Sequence, residues 1–482
     1  MRSVAYALGL LLASFALTLS FPVLCSLVTG DGLWPQFLIA AVCTALAGLA
    51  LAVACRTRRR ELRARDGFLL VTLGWLLLSA AAALPFLLTL PNLSFTGAYF
   101  EAMSGLTTTG STVLTGLDRL PPSVNFWRHS LEWFGGLAII VMALAVLPLL
   151  GVGGMQLYKG QAPGPAKEER LTPRITQTAR ALWLVYTVIT VAGIVSLRIC
   201  GMSWFDAICH AFSAVGLGGF STHDRSIAFF DSPAVELTLV ALMLIASLNF
   251  ARHFIALRRL SLDTYRVDPE CRAIFAILSV SVIAIAALLS WRGVYPGFMT
   301  ALRHSAFNVV SQATTSGLTS QDYQRWPVFA PYWMLFLSCI VCSTGSTGGG
   351  IKMFRALLLA RQTGRELKLL VHPAAMAPVR IGGRPVPDSV GHAVLAFIFL
   401  YFMTVVAFTF ALLLTGLDFD GALAAAVASI NNTAHGFGPP GGVQNFHALS
   451  SAQIWICTAA MLLGRLEIFS VIVLFTPIYW RK

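Results

Sequence analysis

Apolar runs dominate this chain, and most of them are long enough to cross the roughly 30 Å hydrocarbon core of a bilayer. They lie near residues 4–28, 35–55, 68–91, 126–150, 180–200, 234–256, 273–291, 331–344, 390–416 and 452–479. One pattern recurs four times: an apolar helix, a short apolar segment, a turn rich in Gly, Thr or Ser, then a second apolar helix. The short segments, 97–107, 204–215, 300–313 and 420–431, are too brief to span a bilayer and predict half-helices that enter and turn back. The turns are Thr107-Thr108-Thr109-Gly110-Ser111-Thr112, Leu217-Gly218-Gly219-Phe220-Ser221-Thr222, Thr314-Thr315-Ser316-Gly317-Leu318-Thr319 and Asn431-Asn432-Thr433-Ala434-His435-Gly436. Irregular backbone persists at membrane depth only inside protein or along a watery cavity. Four turns at similar spacing therefore predict one ring around a pore.

The repeats are expected at 67–158, 175–262, 271–368 and 388–482, after an extra hairpin at 1–66. Ser104, Ser213 and Ser311 each precede their turn glycine (Gly110, Gly219, Gly317) by six residues, and Phe100 and Phe307 share one offset. Linkers rich in Pro, Gly and charge are expected at 159–174 and 369–389. The first apolar run has one Arg and no clear cleavage site, so it is read as a retained helix rather than a signal peptide.

Composition places the chain in the membrane class. Of 482 residues 57% are hydrophobic and 11% charged, with a mean hydropathy of +0.75; a soluble domain carries about a quarter charged residues. The net charge of +13 points away from nucleic acid once its distribution is followed. Arg56, Arg58, Arg59, Arg60, Arg63 and Arg65 follow the second apolar run. Lys159, Lys167, Arg170 and Arg174 follow the fourth, and Arg258, Arg259, Arg266 and Arg272 the sixth. Arg361, Arg365, Lys368, Arg380 and Arg384 follow the eighth, and Arg481 and Lys482 end the chain. All fall on one side of an alternating topology, which makes that side cytoplasmic, with both termini inside. The other side carries Asp31, Asp118, Asp206, Asp224, Asp231, Asp322, Asp418 and Asp420; acidic groups at an outer mouth raise local cation concentration, and equally solvate loops. The nine cysteines show no framework, and the Cys339/Cys342 pair sits inside an apolar run.

The turns carry the candidate chemistry. A bare alkali ion needs oxygens in place of its water shell, which rings of backbone carbonyls supply. Gly permits the backbone angles that aim carbonyls at an axis, and Thr and Ser add hydroxyls without fixed charge. The half-helices would point negative C-terminal ends at that axis. The absence of Asp and Glu from the turns favours a monovalent ion. His129, His210, His304 and His435 are scattered one to a repeat with no ligand spacing, which disfavours an enzyme. Residues 345–350 with Lys352 lack the order of a phosphate loop, because Ile351 intervenes and no Ser or Thr follows the lysine. They read instead as a break in a spanning helix. Arg465 and Glu467 fall in the last apolar run, where charges face the interior or a watery path. Two apart on a helix, they do not face each other. Arg128 and Glu132, four apart, are expected to pair.

At these residues the chain resembles the membrane subunits of the Trk/Ktr/HKT superfamily of potassium uptake systems, in its TrkH/TrkG branch. The matching stretches are residues 107–113, 218–224, 342–352, 431–433 and 463–467, and the likeness extends over nearly the whole chain. The resemblance implies an all-α integral membrane fold with four such repeats around a central pore, and potassium ion as the substrate. It implies ion-site carbonyls at Thr108, Thr109 and Gly110; Leu217, Gly218 and Gly219; Thr315, Ser316 and Gly317; and Asn432, Thr433 and Ala434. The fourth turn departs from the family's pattern, with Ala434 for the usual Gly and His435 for the usual Pro, which touches selectivity and filter rigidity. The resemblance further implies a gating loop at Gly345, Ser346, Thr347, Gly348, Gly349 and Gly350, with Arg465 as an electrostatic barrier near it. It implies a homodimer and a cytosolic nucleotide-binding regulatory subunit of the TrkA type. The competing reading is a secondary transporter of sodium or a less selective monovalent-cation transporter, with proton coupling as one form of it: inverted repeats are usual in such transporters, whereas these four run in one direction.

Overall fold

The computed structural model describes residues 1–56, 64–145, 175–434 and 446–481. Arg58, Arg59, Arg60, Arg63, Lys159, Lys167, Arg170, Arg174, His435, Gly436 and Lys482 lie outside the described residues. The hairpin comprises α1 (Arg2–Phe15), a 3-10 turn (Ala16–Leu19), α2 (Ser20–Thr29) and the returning α3 (Trp34–Ala54). Its strands of helix touch backbone to backbone: a Cβ on Gly9 would stand 2.7 Å from the Gly48 oxygen, and one on Gly48 2.8 Å from the Gly9 oxygen. Small residues permit such approach where lipid provides no hydrophobic drive.

The first repeat is α4 (Ala64–Thr89), α5 (Phe95–Leu106) and α6 (Pro122–Ala145). The second is α7 (Ile175–Ile199), α8 (Trp204–Gly216), α9 (Pro233–Ser247) and α10 (Phe250–Arg259), followed by the short α11 (Asp263–Arg266). The third is α12 (Pro269–Trp291), α13 (Phe298–Ala313), α14 (Phe329–Ile340) and α15 (Met353–Val371). A small antiparallel ribbon, β1 (Arg380–Ile381) and β2 (Arg384–Pro385), leads to the fourth: α16 (Asp388–Leu414), α17 (Phe419–Asn431), α18 (Ser451–Arg465) and α19 (Phe469–Ile472), before a last short α20 (Pro477–Trp480). The fold is all-α and membrane-spanning, four helix–half-helix–helix repeats around a central pore behind an N-terminal hairpin. Among the described residues six helices are long and apolar enough to cross a membrane, or eight if each bent pair is one span.

Two apolar runs expected to be continuous are not. The run at 234–256 bends by 101° between α9 and α10, and the run at 452–479 by 105° between α18 and α19. At the first bend the Asn249 side chain accepts from the Ala251 N–H at 2.9 Å and starts a new helix. At the second, Glu467 and Ile468 take left-handed φ of 54° and 53°, which ends a helix.

The last seven residues of each of the half-helices α5, α8, α13 and α17 are buried. Ser94, Ser203 and Asp418 cap three of them, accepting from Gly97, Asp206 and Gly421 N–H groups at 3.1, 3.0 and 3.2 Å.

Asp31, between α2 and α3, ties the hairpin to the first repeat. It accepts from the Ser123 N–H at 2.9 Å, the Leu33 N–H at 3.1 Å and the Ser26 hydroxyl. Partial burial acts upward on this carboxyl, but the bonds from Ser123, Ser26 and Leu33 outweigh it and hold the pKa below its usual value. A depressed carboxyl stabilises above its unfolded pKa and loses that contribution as pH falls through the folded one. The melting temperature in detergent is therefore expected to fall between about pH 5 and pH 3, and less steeply in Asp31→Asn. Identical slopes would remove this tie from the account.

Candidate functional site

Each half-helix ends in the same hydrogen-bonded closure. Thr108, Leu217, Thr315 and Asn432 donate to carbonyls three residues back (Gly105, Ala214, Gln312 and Ser429) at 2.9, 3.4, 3.1 and 3.3 Å. The next residues, Thr109, Gly218, Ser316 and Thr433, donate five back to Ser104, Ser213, Ser311 and Ala428, each at 2.9 Å or, for Thr109, 2.8 Å. This paired closure is the Schellman motif, which needs a left-handed residue just past the helix. That residue is Thr108 (φ 50°), Leu217 (54°), Thr315 (63°) and Asn432 (53°). Glycine or asparagine usually takes this place; a branched residue there costs of order 1–3 kcal/mol and persists only where the surroundings over-determine it.

Two residues on, Gly110, Gly219 and Gly317 are left-handed again, with φ of 74°, 100° and 78°. Left-handed residues alternating with right-handed ones aim successive carbonyls to one side of a chain.

The turns meet in cyclic order. A Cβ on Gly110 would stand 1.9 Å from the Gly218 oxygen, one on Gly219 2.0 Å from the Ser316 oxygen, and one on Gly317 2.7 Å from the Ala434 nitrogen. The Asn432 carboxamide donates to Thr109 Oγ1 at 3.0 Å, joining the fourth turn to the first. Thr108, Thr109, Gly110, Leu217, Gly218, Gly219, Thr315, Ser316, Gly317, Asn432, Thr433 and Ala434 thus share one locus, and all but Gly219 are buried.

A buried charge network braces the first two turns. Arg128 does not pair with Glu132. Its Nε meets Glu101 Oε1 at 2.6 Å, both side chains fully buried, because the carboxylate reaches across from α5. Arg128 also donates to Asn125 Oδ1 at 2.9 Å, Thr112 Oγ1 at 3.2 Å and the Ser221 carbonyl at 3.4 Å, and lies 4.2 Å over the Phe220 ring. Glu101 accepts from Thr112 Oγ1 and the Val113 N–H. Glu132 instead accepts from the Phe220 N–H at 2.9 Å and packs on Gly218, where a Cβ would stand 2.2 Å from its carboxyl carbon. The missed signal was Glu101 itself: a lone acid in an apolar half-helix requires a cation partner.

Below the turns, the segment between α14 and α15 is clasped by both bends. Ser343 N–H donates to the Ser247 carbonyl at 2.9 Å, Phe250 N–H to Gly345 at 3.2 Å, and the Asn249 carboxamide to Thr344 at 2.6 Å. Glu270 accepts from Ser343 Oγ at 2.7 Å and Thr344 N–H at 2.9 Å. From the other side Arg465 donates to the Thr347 carbonyl at 2.8 Å. Gly349 N–H donates up to Thr315 Oγ1 at 3.0 Å, so the loop sits directly beneath the third turn. Lys352 Nζ folds back onto the Gly348 carbonyl. Arg465 and Glu467 do not pair: Glu467 meets Arg355 at 2.5 Å, and Arg465 Nε and Nη2 have no partner among the described residues. A cavity of about 30 Å³ lies here, bordered by Ser346, Gly349, Lys352, Asn432 and Arg465. Asn249, Glu270 and Arg355 were not singled out by sequence, and Lys352 only as the lysine of a phosphate-loop pattern that fails; Glu270 and Arg355 flank their apolar runs and read there as ordinary terminal charges.

A family model described as "TrkH: Cation transport protein" matches residues 34–482. The chain is 45% identical to a Trk system potassium uptake protein TrkH of Halomonas elongata, over 100% of both chains. It is 42% identical to the protein of that description from Escherichia coli K12, over 100% of this chain and 99% of that one. Among solved structures, the crystal structure of the potassium transporter TrkH from Vibrio parahaemolyticus aligns with a TM-score of 0.92 at 41% identity, covering 100% of this chain and 99% of that one.

Glu101→Gln leaves the Arg128 charge buried without its partner. Breaking such a pair costs about 3–5 kcal/mol, so a lower melting temperature or loss of monodisperse protein is expected. Adding Arg128→Met should recover part of that loss, because the two effects are coupled. A Glu101→Gln protein that melts like the parent would show that the pair does not hold the turns.

Proposed function

The chain belongs to the TrkH family of cation transport proteins, a family of transporters rather than enzymes, and from that premise we propose that it takes up potassium across the bacterial cytoplasmic membrane. The observation that carries this reading is the convergence of four half-helix ends, each with the same left-handed closure, on one locus. Carbonyls of Thr108, Thr109, Gly110, Leu217, Gly218, Gly219, Thr315, Ser316, Gly317, Asn432, Thr433 and Ala434 replace the water shell of the ion. Negative helix ends add a field that favours a cation and rejects an anion.

Past the turns the ion meets the loop of Gly345, Ser346, Thr347, Gly348, Gly349 and Gly350, with the Arg465 guanidinium beside it. A buried positive charge repels a cation, so the loop and Arg465 together form a gate that opens when the clasp on the loop is released. The inside-negative membrane potential drives uptake, at about 2.3 kcal/mol per charge per 100 mV. Both termini face the cytoplasm, where the basic loops lie. A TrkA-like nucleotide-binding subunit docking on that face supplies regulation, and two copies of this chain assemble with a pore in each.

In liposomes under a fixed inside-negative potential, potassium and rubidium are expected to enter faster than sodium and lithium. Equal sodium and potassium rates would favour the less selective monovalent-cation reading. Gly317→Ser places a Cβ 2.3 Å from the Ala434 methyl and is expected to cut potassium flux at least tenfold; unchanged flux and selectivity would overturn the filter assignment. Arg465→Ala is expected to raise flux if the guanidinium is a barrier. Loss of folded protein in its place would make Arg465 a structural anchor of Thr347.

A further inference from the structure

We propose that the cavity beneath the turns is a binding site for a small inorganic anion, chloride in size and charge, held between Arg465 and the loop. The cavity measures about 30 Å³ and is bordered by the loop and by Lys352, Asn432, Arg465 and Glu467. Arg465 and Lys352 are buried, with 3% and 8% of their surfaces exposed. Arg465 donates one N–H to the Thr347 carbonyl at 2.8 Å. Its Nε and Nη2 have no partner among the described residues. Lys352 Nζ reaches only a carbonyl, that of Gly348.

Hydrogen bonding says what kind of atom belongs here. A guanidinium and an ammonium are donors without any acceptor, so the free N–H groups call for an acceptor. Charge narrows the choice. The carboxylate on the cavity wall, Glu467, meets Arg355 at 2.5 Å. Neither Lys352 nor Arg465 forms an ion pair among the described residues. α15 starts at Met353, so its positive pole adds to Lys352. α18 ends at Arg465, and its negative pole of roughly half a charge offsets only part of that cation. Water would accept the free N–H groups and leave both charges standing. Burial of an uncompensated charge is far costlier than burial of a free donor, and an anion removes both.

Volume sets the class of anion. About 10–15 Å³ of such space suffices for one water, so the cavity takes a monatomic anion with a water beside it. Asn432 Oδ1, also without a partner among the described residues, accepts from that water. A nucleotide or a phospholipid headgroup is too large. The anion has a structural effect, because α18 belongs to the fourth repeat and the loop to the third. Arg465 and Lys352 repel each other; an anion between them turns repulsion into a bridge and holds the loop against the end of α18. The site does not depend on which cation the protein carries.

The test follows the melting temperature of the full chain in detergent as potassium gluconate is replaced by potassium chloride at constant ionic strength. Gluconate is too large for the cavity. The midpoint is expected to rise by about 2 °C or more and to saturate with chloride, as for a ligand that binds only the folded state. Arg465→Gln keeps an N–H donor and loses the charge, and in it the rise should disappear. No rise in the parent, or an equal rise in Arg465→Gln, overturns the inference; no flux is read, so either result leaves the potassium reading as it stands. Should Arg465→Gln not yield monodisperse protein, crystals of the parent chain grown in potassium bromide decide. A bromine anomalous peak beside Arg465 supports the site, and a map without one overturns it.

Discussion

A helix that ends in the middle of a membrane protein leaves its last carbonyls without partners, and no bulk water is there to take them. Every feature of this site follows from how those carbonyls are handled. The closures after Leu106, Gly216, Ala313 and Asn431 satisfy two carbonyls per half-helix from within the turn. Of the remaining ones, the Leu106, Ile430 and Asn431 oxygens lie against Gly135, Gly464 and Gly349, where a Cβ would leave them no room. The closure requires a left-handed residue, and at Thr108, Leu217 and Thr315 that residue carries a branched or bulky side chain. Those residues would relax to the ordinary region if released. The buried bonds of Arg128, Glu101 and Glu132 to the strands beyond the turns hold the first two in place.

The same constraint shapes the level below. Interrupting α14 with a glycine loop frees backbone groups at depth, and two further helices are broken beside it. The breaks are reciprocal. Ser247 lends its carbonyl to the loop, the loop lends the Gly345 carbonyl to Phe250, and Arg465 takes the Thr347 carbonyl at the end of α18. Backbone groups freed by one break are thus satisfied by another. A loop held by such exchanged bonds has few alternatives when one is lost, which suits an element with two discrete positions.

The half-helices were legible in the sequence because two signals coincide there: segments too short to span, and a Gly, Thr and Ser turn repeated in register. The bends were not. Around residues 247–250 and 465–469 the apolar composition continues on both sides, and a single Asn249 or a Glu467 is a weak punctuation mark. Nor was the true partner of Arg128 visible. The local rule that residues four apart on a helix interact pointed to Glu132, but Glu101, 27 positions away, wins by reaching across from α5. The left-handed backbone of Leu217 was equally hidden, since no propensity places leucine in that region; only the shared closure of the four turns makes it necessary.

Pseudo-symmetry here belongs to the backbone and not to its supports. The first two turns are braced by fully buried charges, which are expensive to bury and rigid once paired. The third leans on the loop beneath through Thr315. The fourth is held by neutral groups, with Asn432 bonded to Thr109 and to the Met461 carbonyl, and Asn431 to Tyr401 and Ser338. Neutral bonds are individually worth about 1 kcal/mol net, well below the penalty for breaking a buried ion pair. Displacing the first or second turn therefore costs more than displacing the third or fourth. Rigidity is thus concentrated on one side of the ring and compliance on the other.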